Sequence, residues 1–432
     1  MLIMIKGGQV YDRETGEFVK QDLLIEDHQI VRIAKDIQAT DIVDQIIDAE
    51  NRIIVPGLID LHVHFREPGF EQKETIMTGS MAAARGGYTT VACMPNTRPV
   101  IDTVETVQSI KKRAEEAATR VLMYGAITVR ELGENLTDMH ELAEAGVIGF
   151  TDDGVGVQTS AKMKEAMKKA KSLNLPIVAH CEDNSLAKGG CVHEGVFAKQ
   201  HDLPGIPNEA EAIHVGRDIL LAESTGAHYH VCHISAKESV RLVREAKSRG
   251  QKVTAEVTPH HLLLCDEDIP APDAMWKMNP PLRGKADREA LIEGLQDGTI
   301  DFIATDHAPH TTAEKAVGMK QAPFGIVGLE TAFPLLYTHL VCTGILTLPQ
   351  LIDKMTYIPA TTFGLPFGEL AEGKTADLTM IDLHHEQVID PERFHSKGRN
   401  TPFKDWKVKG WPVLTMLNGK ITWSESKKTI KG

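Results

Sequence analysis

Ile53-Ile54-Val55-Pro56-Gly57-Leu58-Ile59-Asp60-Leu61-His62-Val63-His64 is an apolar run that ends in two histidines two positions apart. Residues at i and i+2 of a β-strand project to the same side, so both imidazoles look the same way. The run before them is apolar on both faces, as expected of a strand buried in a parallel sheet. Two neutral imidazoles gain little from each other's company, but shared by a divalent cation they form half of a tetrahedral site. The stretch therefore reads as a buried parallel strand with a metal at its mouth. The competing reading is a pair of partly exposed histidines on an edge strand.

Outward from this run, strand-like segments ending in polar residues recur at 58–64, 89–95, 120–129, 147–153, 175–182, 228–235, 252–261 and 301–310. Helical patterns lie between most of them. Segment 103–119 carries Val104, Val107, Ile110, Ala114 and Ala117 on one stripe. Asn208-Glu209-Ala210-Glu211 and Ser235-Ala236-Lys237-Glu238 read as helix starts, the second as a capping box. Gly86-Gly87 and Gly250 read as helix stops. Eight strands alternating with helices at about 30-residue spacing predict an α/β chain with a (β/α)8 barrel, a TIM-like barrel. A doubly wound open sheet is the alternative, but it does not bring five separate strand ends to one point.

Both ends of the chain differ from the middle. Residues 1–54 and 366–432 show short alternating strands, and Asn418-Gly419 between 413–417 and 420–423 is a two-residue hairpin signal. They predict a small β-sandwich domain formed by the N- and C-terminal segments, flanking a barrel at 55–365. Segments 184–207 and 310–328, rich in glycine and proline, are the expected long loops over the site.

The 432 residues are 42% hydrophobic and 25% charged, ordinary for a globular chain with a large core. A formal net charge of −13 argues against a nucleic-acid surface, which needs a basic stripe. It leaves room for an anionic substrate, because one buried arginine decides that locally. Six cysteines without CxxC spacing are too sparse for a disulfide framework, so reduced thiols in a cytoplasm are expected. Segment 1–12 has no signal-peptide pattern, and no apolar stretch approaches a membrane-spanning length. A cytoplasmic protein without a membrane or nucleic-acid partner is the expectation.

In a barrel of this kind chemistry sits at the C-terminal strand ends. Those ends present His62 and His64, Asp152-Asp153, His180, His233 and Asp306. Four imidazoles with carboxylates among them are a ligand set for one or two zinc-like ions. A carboxylate could bridge two ions, because it has two oxygens where an imidazole offers one lone pair. Such a pair, about 3.5–4 Å apart, would activate water near neutral pH. Each member alone has an ordinary reading. His180 could be a satisfied core histidine, Asp306 a turn residue, and His228 and His230 compete with His233. His260-His261 are assigned a structural or supporting duty.

Five pieces carry a resemblance: Pro56-Gly57-Leu58-Ile59-Asp60-Leu61-His62-Val63-His64, Phe150-Thr151-Asp152-Asp153-Gly154, Ala179-His180, His233-Ile234-Ser235 and Ala304-Thr305-Asp306-His307-Ala308-Pro309-His310. Together they resemble the amidohydrolase superfamily, essentially end to end and including Glu372-Gly373-Lys374-Thr375-Ala376-Asp377-Leu378. Within it, His64-Phe65-Arg66-Glu67-Pro68-Gly69 and Met94-Pro95-Asn96-Thr97 look like the dihydroorotase family in its bacterial type I branch. That resemblance implies zinc, one or two ions per chain, held by His62, His64, Asp153, His180, His233 and Asp306. It implies reversible hydrolysis of dihydroorotate to N-carbamoyl-L-aspartate in pyrimidine (UMP) synthesis, with Asp306 as the catalytic proton carrier. It further implies substrate contacts from His64, Arg66, Asn96, Asn279, His310, Phe324 and Gly325. Arg66 is assigned to the substrate carboxylate, which a guanidinium meets with two parallel bonds; a salt bridge with Glu67 is the alternative.

Many relatives bridge their metals with a carboxylated lysine, and this chain has none at the fourth strand end. The type I branch has an aspartate there, and matching the motif picks Asp153 over Asp152. Family precedent points to a homodimer and to association with an aspartate transcarbamoylase. The competing functions are other cyclic amidohydrolases (dihydropyrimidinase, hydantoinase or allantoinase) and a non-catalytic scaffold for a transcarbamoylase. Relatives of that last kind typically lose metal ligands, and every one is kept here.

Overall fold

The computed structural model describes residues 1–38, 43–425 and 430–431. Parallel pairing links Leu58–Val63 to Tyr88–Cys93 and Tyr88–Cys93 to Arg120–Met123. A second parallel set joins Ile177–Ala179, Tyr229–Val231, Val253–Val257 and Phe302–Ile303 in that order. Phe150 connects the sets by single parallel bridges to Gly125 and Ile177, and Val63 bridges His307 on the other side. The parallel pairings thus run in a closed circuit of eight segments, with helices in the connections. The chain is mixed α/β.

The opening run is not one strand. Ile53–Pro56 pairs antiparallel with Leu378–Val388 and parallel with Leu2–Asp12, in a sheet outside the circuit. Pro56-Gly57 breaks the run, and only Leu58–Val63 enters the circuit. A Cβ on Gly57 would lie 2.1 Å from the Thr89 hydroxyl, so only glycine lets the chain pass the second parallel strand here. Among the described residues the outer sheet has nine strands drawn from both chain ends. Ile3, Ile5, Leu23, Ile25, Ile47, Leu378 and Met416 share one buried cluster, which is what joins the two ends. The hairpin at Asn418-Gly419 forms between Lys407–Leu417 and Lys420–Ser424, with φ of 50° and 72° at the two turn residues.

Several expected elements are shorter or different. Segment 147–153 contributes bridges through Phe150 rather than a strand. Segment 252–261 ends as a strand at Val257, and Pro259–Leu263 is a short helix capped by Thr258, so His260-His261 are helical. The stripe at 103–119 is a helix only over Val104–Arg113. The helix Asn208–Thr225 starts where expected.

The expected capping box at Ser235 does not form. The helix runs Lys237–Ser248, and its N-terminal residue Ala236 has no side-chain cap. The Ser235 hydroxyl instead donates to Glu211, and Glu238 accepts from Asn208. The free Lys237 N–H is satisfied from a distance by Asp287 at 3.0 Å. Tertiary carboxylates have replaced the local cap, because all these groups sit together at one buried helix end.

Candidate functional site

Short strands set the direction of each side chain, and the turns after them finish the job. His62 and His64 leave the same side of Leu58–Val63, while Asp153, His180, His233 and Asp306 follow the fourth, fifth, sixth and eighth segments of the circuit. All six are buried. Ligand atoms of His62, His64 and Asp153 lie within 4.8 Å of one another, and so do those of Asp153, His180 and His233. Asp153 belongs to both sets. His62 Nε2 lies 3.5 Å from Asp153 Oδ1 and 3.4 Å from Asp306 Oδ1, and His64 Nε2 lies 3.0 Å from Asp306 Oδ1.

The neighbours fix which nitrogen of each ring is free. His62 Nδ1 donates to Glu256 Oε1 at 2.5 Å, a carboxylate that also accepts from His230 Nε2 at 3.1 Å. Burial opposes the charge on Glu256, but the two imidazoles outweigh it and hold its pKa down at about 2. His64 Nδ1 donates to Asn96 Oδ1 at 3.0 Å. Both Nε2 atoms face carboxylate oxygens, an arrangement that requires positive charge between them, a proton on the ring or a metal ion in its place. Among the described residues, His62 Nε2, Asp153 Oδ1, His180 Nε2 and His233 Nδ1 are buried with no hydrogen-bond partner. Buried polar atoms are almost always partnered, so this concentration marks a binding site. Imidazoles and carboxylates around a shared centre fit a zinc-like ion, and the shared Asp153 fits a pair of them.

Asp152 and Asp153 part company here. Asp152 accepts from the Ile127 and Thr128 N–H groups at 2.7 and 2.9 Å and from the Thr128 hydroxyl, so it ties down the loop after the third strand. Asp153 turns into the histidine cluster. We expect Asp153→Ala to lose bound metal, measured by elemental analysis, while Asp152→Ala retains more of it but is less stable. Each buried N–H left unpaired by Asp152→Ala costs roughly 1–3 kcal/mol. If Asp153 is the bridge no carbamate has to form, and activity should be indifferent to added bicarbonate. Metal loss confined to Asp152→Ala would move the ligand by one residue.

A cavity of about 200 Å³ opens beside the cluster. It is lined by His64, Arg66, Asn96, Asp153, His180, His233, Asn279, Asp306, His310, Phe324 and Gly325, among others. All seven residues expected to contact a substrate are in that lining; His62 lies behind it. Arg66 is not paired with Glu67, which instead takes Arg113 at 2.6 Å and the Ile76 N–H at 2.8 Å. Its Nε donates to the Pro309 carbonyl at 3.3 Å, and among the described residues no carboxylate forms an ion pair with it. Burial pushes the Arg66 pKa down to about 10, partly offset by Asp306 and Asp153, so the guanidinium stays charged at neutral pH. His310 is neutral: burial and the charges of Arg66, Lys73 and Lys315 lower its pKa to about 2. Its Nε2 donates to the Phe324 carbonyl at 2.7 Å, and its Nδ1 accepts from Lys73 at 3.3 Å. Asn96 is engaged as well, donating at 3.3 Å to Asp153, and Asn279 donates to Glu182 at 2.9 Å.

Three residues of the cavity wall have left-handed backbone. Arg66, His233 and Asp306 have φ of 55°, 29° and 50°, values that cost non-glycine residues about 1–3 kcal/mol and cluster at functional sites. Of the competing histidines, His228 and His230 hydrogen-bond Thr254 inside the circuit, and only His233 joins the cluster. Sequence reasoning passed over Glu256, Lys73 and Lys315. For Glu256 a signal was present: a carboxylate in mid-strand among Val253, Ala255 and Val257, where a buried charge needs partners.

A family profile described as Dihydro-orotase-like matches residues 51–239. A dihydroorotase of Halalkalibacterium halodurans is 61% identical over 426 residues, covering 98% of this chain and 99% of that protein. One from Geobacillus sp. is 60% identical over 429 residues, covering 99% and 100%. Among solved structures, the L-hydantoinase (dihydropyrimidinase) of Arthrobacter aurescens superposes with TM-score 0.88 at 27% identity, covering 98% of this chain and 96% of that one. The dihydropyrimidinase of Brevibacillus agri NCHU1002 gives 0.85 at 25% identity, covering 98% and 95%. The shape is common to cyclic amidohydrolases, while sequence identity over nearly the whole length is shared with one branch of them: the chain belongs to the dihydroorotase family.

Proposed function

We propose that this chain hydrolyses (S)-dihydroorotate reversibly to N-carbamoyl-L-aspartate, the ring-closing and ring-opening step of pyrimidine (UMP) synthesis, in the cytoplasm. The observation that carries the reading is Arg66, a guanidinium in the wall of the cavity beside the histidine–aspartate cluster, with no carboxylate paired to it among the described residues. We read the closed parallel circuit as a (β/α)8 barrel that begins at Leu58 rather than at 55 and runs to 365, and the outer sheet from 1–56 and 366–432 as the flanking β-sandwich domain.

His62, His64, Asp153, His180, His233 and Asp306 would hold one or two zinc ions. When bound, zinc lowers the pKa of water and polarises a carbonyl. The protein's own part is placement and proton transfer. Arg66 takes the substrate carboxylate, and Asn279 and the Phe324-Gly325 backbone face the ring. Glu256 and Asn96 fix the tautomers of His62 and His64, so that each presents a lone pair inward. Ring opening adds the oxygen of water to the carbonyl carbon and breaks its bond to the ring nitrogen. One proton must reach that nitrogen as it leaves. Asp306 lines the cavity next to both histidines and carries it, taking it back when the ring closes.

The test is turnover of dihydroorotate set against dihydrouracil, hydantoin and allantoin, none of which offers this carboxylate. Dihydroorotate should be strongly preferred. Arg66→Ala should weaken handling of dihydroorotate and carbamoyl aspartate with metal content intact. The loss of a desolvated charge pair is on the order of 2–5 kcal/mol. A wild-type preference for hydantoin or dihydrouracil would overturn the carboxylate assignment.

A further inference from the structure

Lys315 is buried, yet among the described residues no carboxylate pairs with it. Its ammonium donates instead to three backbone carbonyls: Lys277 at 3.1 Å, Pro323 at 3.0 Å and Gly325 at 3.0 Å. Three hydrogens meet three acceptors, so the group is saturated. A buried charge without a counter-ion is disfavoured unless its hydrogen bonds are complete, so what these carbonyls belong to is the informative point. They come from two different loops. Lys277 is two residues before Asn279, and Pro323 and Gly325 flank Phe324. Asn279, Phe324 and Gly325 all line the cavity.

The same junction is tightened from other directions. The Gly325 N–H donates to the Lys277 carbonyl at 3.0 Å, and the Gly325 carbonyl also accepts from Asn400 at 3.0 Å. Gly325 has φ of 131°, and a Cβ there would sit 2.7 Å from that of Ala308. The Lys277 ammonium lies 4.4 Å from the centre of the Phe324 ring. Remove Lys315, and the two loops keep the Gly325 N–H bond to the Lys277 carbonyl and the Lys277 ammonium bond to the Lys320 carbonyl at 3.2 Å, but lose the cation that joins three of their carbonyls.

We propose that Lys315 is a positioning residue, a buried ammonium that locks together the two loops forming the ring-facing wall of the cavity. The inference rests on reading that cavity as the dihydroorotate site. A wall held in place before the substrate arrives saves the entropy of ordering it at binding, so the lock acts on affinity. It also makes affinity depend on pH. Burial and the charge of Lys277 lower the Lys315 pKa to about 7, opposed by Asp273. The neighbouring Glu314 carboxylate is paired with Lys73 of the first-strand loop at 2.9 Å, and His310 is neutral. Above that pH the amine has two hydrogens for three carbonyls, and one oxygen faces a lone pair. The lock is complete on the acid side and loosens as pH rises.

The experiment is steady-state kinetics of the metal-loaded enzyme and its Lys315→Met variant with dihydroorotate between pH 6 and 9. Lys315→Met should raise KM by about 10- to 100-fold, the scale of a small misplacement near the substrate, with kcat and metal content changing far less. Wild-type KM should climb above pH 7 beyond any slope the variant retains. A variant with wild-type KM, or with the wild-type pH slope, overturns the proposal. Should Lys315→Met fail to fold, hydrogen exchange of the wild-type Gly325 amide decides it. Protection corrected for the intrinsic exchange rate should fall above pH 7, and constant protection overturns the lock. The exchange result stands whether or not dihydroorotate is the substrate, so failure of the substrate reading and failure of the lock are told apart.

Discussion

Protein freed of divalent metal by a chelator is expected to lose dihydroorotate turnover altogether and to recover it when zinc is returned. The expectation rests on the unpartnered atoms of His62, Asp153, His180 and His233, and on the Nε2 atoms of His62 and His64 gathered against carboxylates. Bound zinc makes water a nucleophile at neutral pH, by lowering its pKa from roughly 15.7 to about 7. Purified protein should carry one to two zinc-like ions per chain by elemental analysis. The stripped protein should also unfold at lower temperature, since a ligand bound only to the native state stabilises it by mass action. Full activity in protein shown to be metal-free would overturn both the site and the proposed reaction.

Asp306→Asn should fold, keep at least one metal ion, and turn over roughly 10²–10⁴-fold more slowly, the range for a lost general acid–base group. Asparagine keeps the shape and one oxygen but cannot accept the proton. The residue tolerates little movement: its φ of 50° suits asparagine as well as aspartate, so the replacement should not disturb the backbone. Its Oδ1 is 3.0 Å from His64 Nε2 and 3.4 Å from His62 Nε2, inside the cavity wall. The loss should be equal in both directions, because one group carries the proton out and back. Near-wild-type rates in Asp306→Asn would move the proton to another residue, with His310 the first to examine.

Some of this site was legible because its grammar is local. A strand alternates its side chains every two residues, so His62 and His64 had to share a side before any fold was known. Repetition of apolar runs ending in His or Asp pointed to strand ends facing one place, and the cavity does gather Asp153, His180, His233 and Asp306 with them. Glycine signals held where backbone conformation was the deciding factor, as at Asn418-Gly419. The opening run misled where composition was uniform: Ile53–Pro56 and Leu58–Val63 are equally apolar but belong to different sheets, and Pro56-Gly57 was the only local mark of the change.

What the sequence by itself determined was therefore the set of chemical groups and their order along the chain: imidazoles and carboxylates at strand ends, a guanidinium two residues beyond His64, a long loop at 310–328 after the last strand. Only the tertiary structure decided among neighbours of equal chemistry. Asp152 and Asp153 differ by one position, and the Ile127 and Thr128 N–H groups take the first and leave the second for the histidines. His228, His230 and His233 share one short segment, and Thr254 and Glu256 hold the first two away. Ser235 has the sequence of a helix cap, and Glu211 takes its hydroxyl. Lys315 looks like any surface lysine of a loop, and three carbonyls from two loops bury it. In each case a deciding partner lies 24 to 38 residues away, and Pro323 and Gly325 reach Lys315 across a loop closed by the fold. Buried polar groups must be paired, and which partner is within reach is a property of the packed chain rather than of its neighbours in sequence.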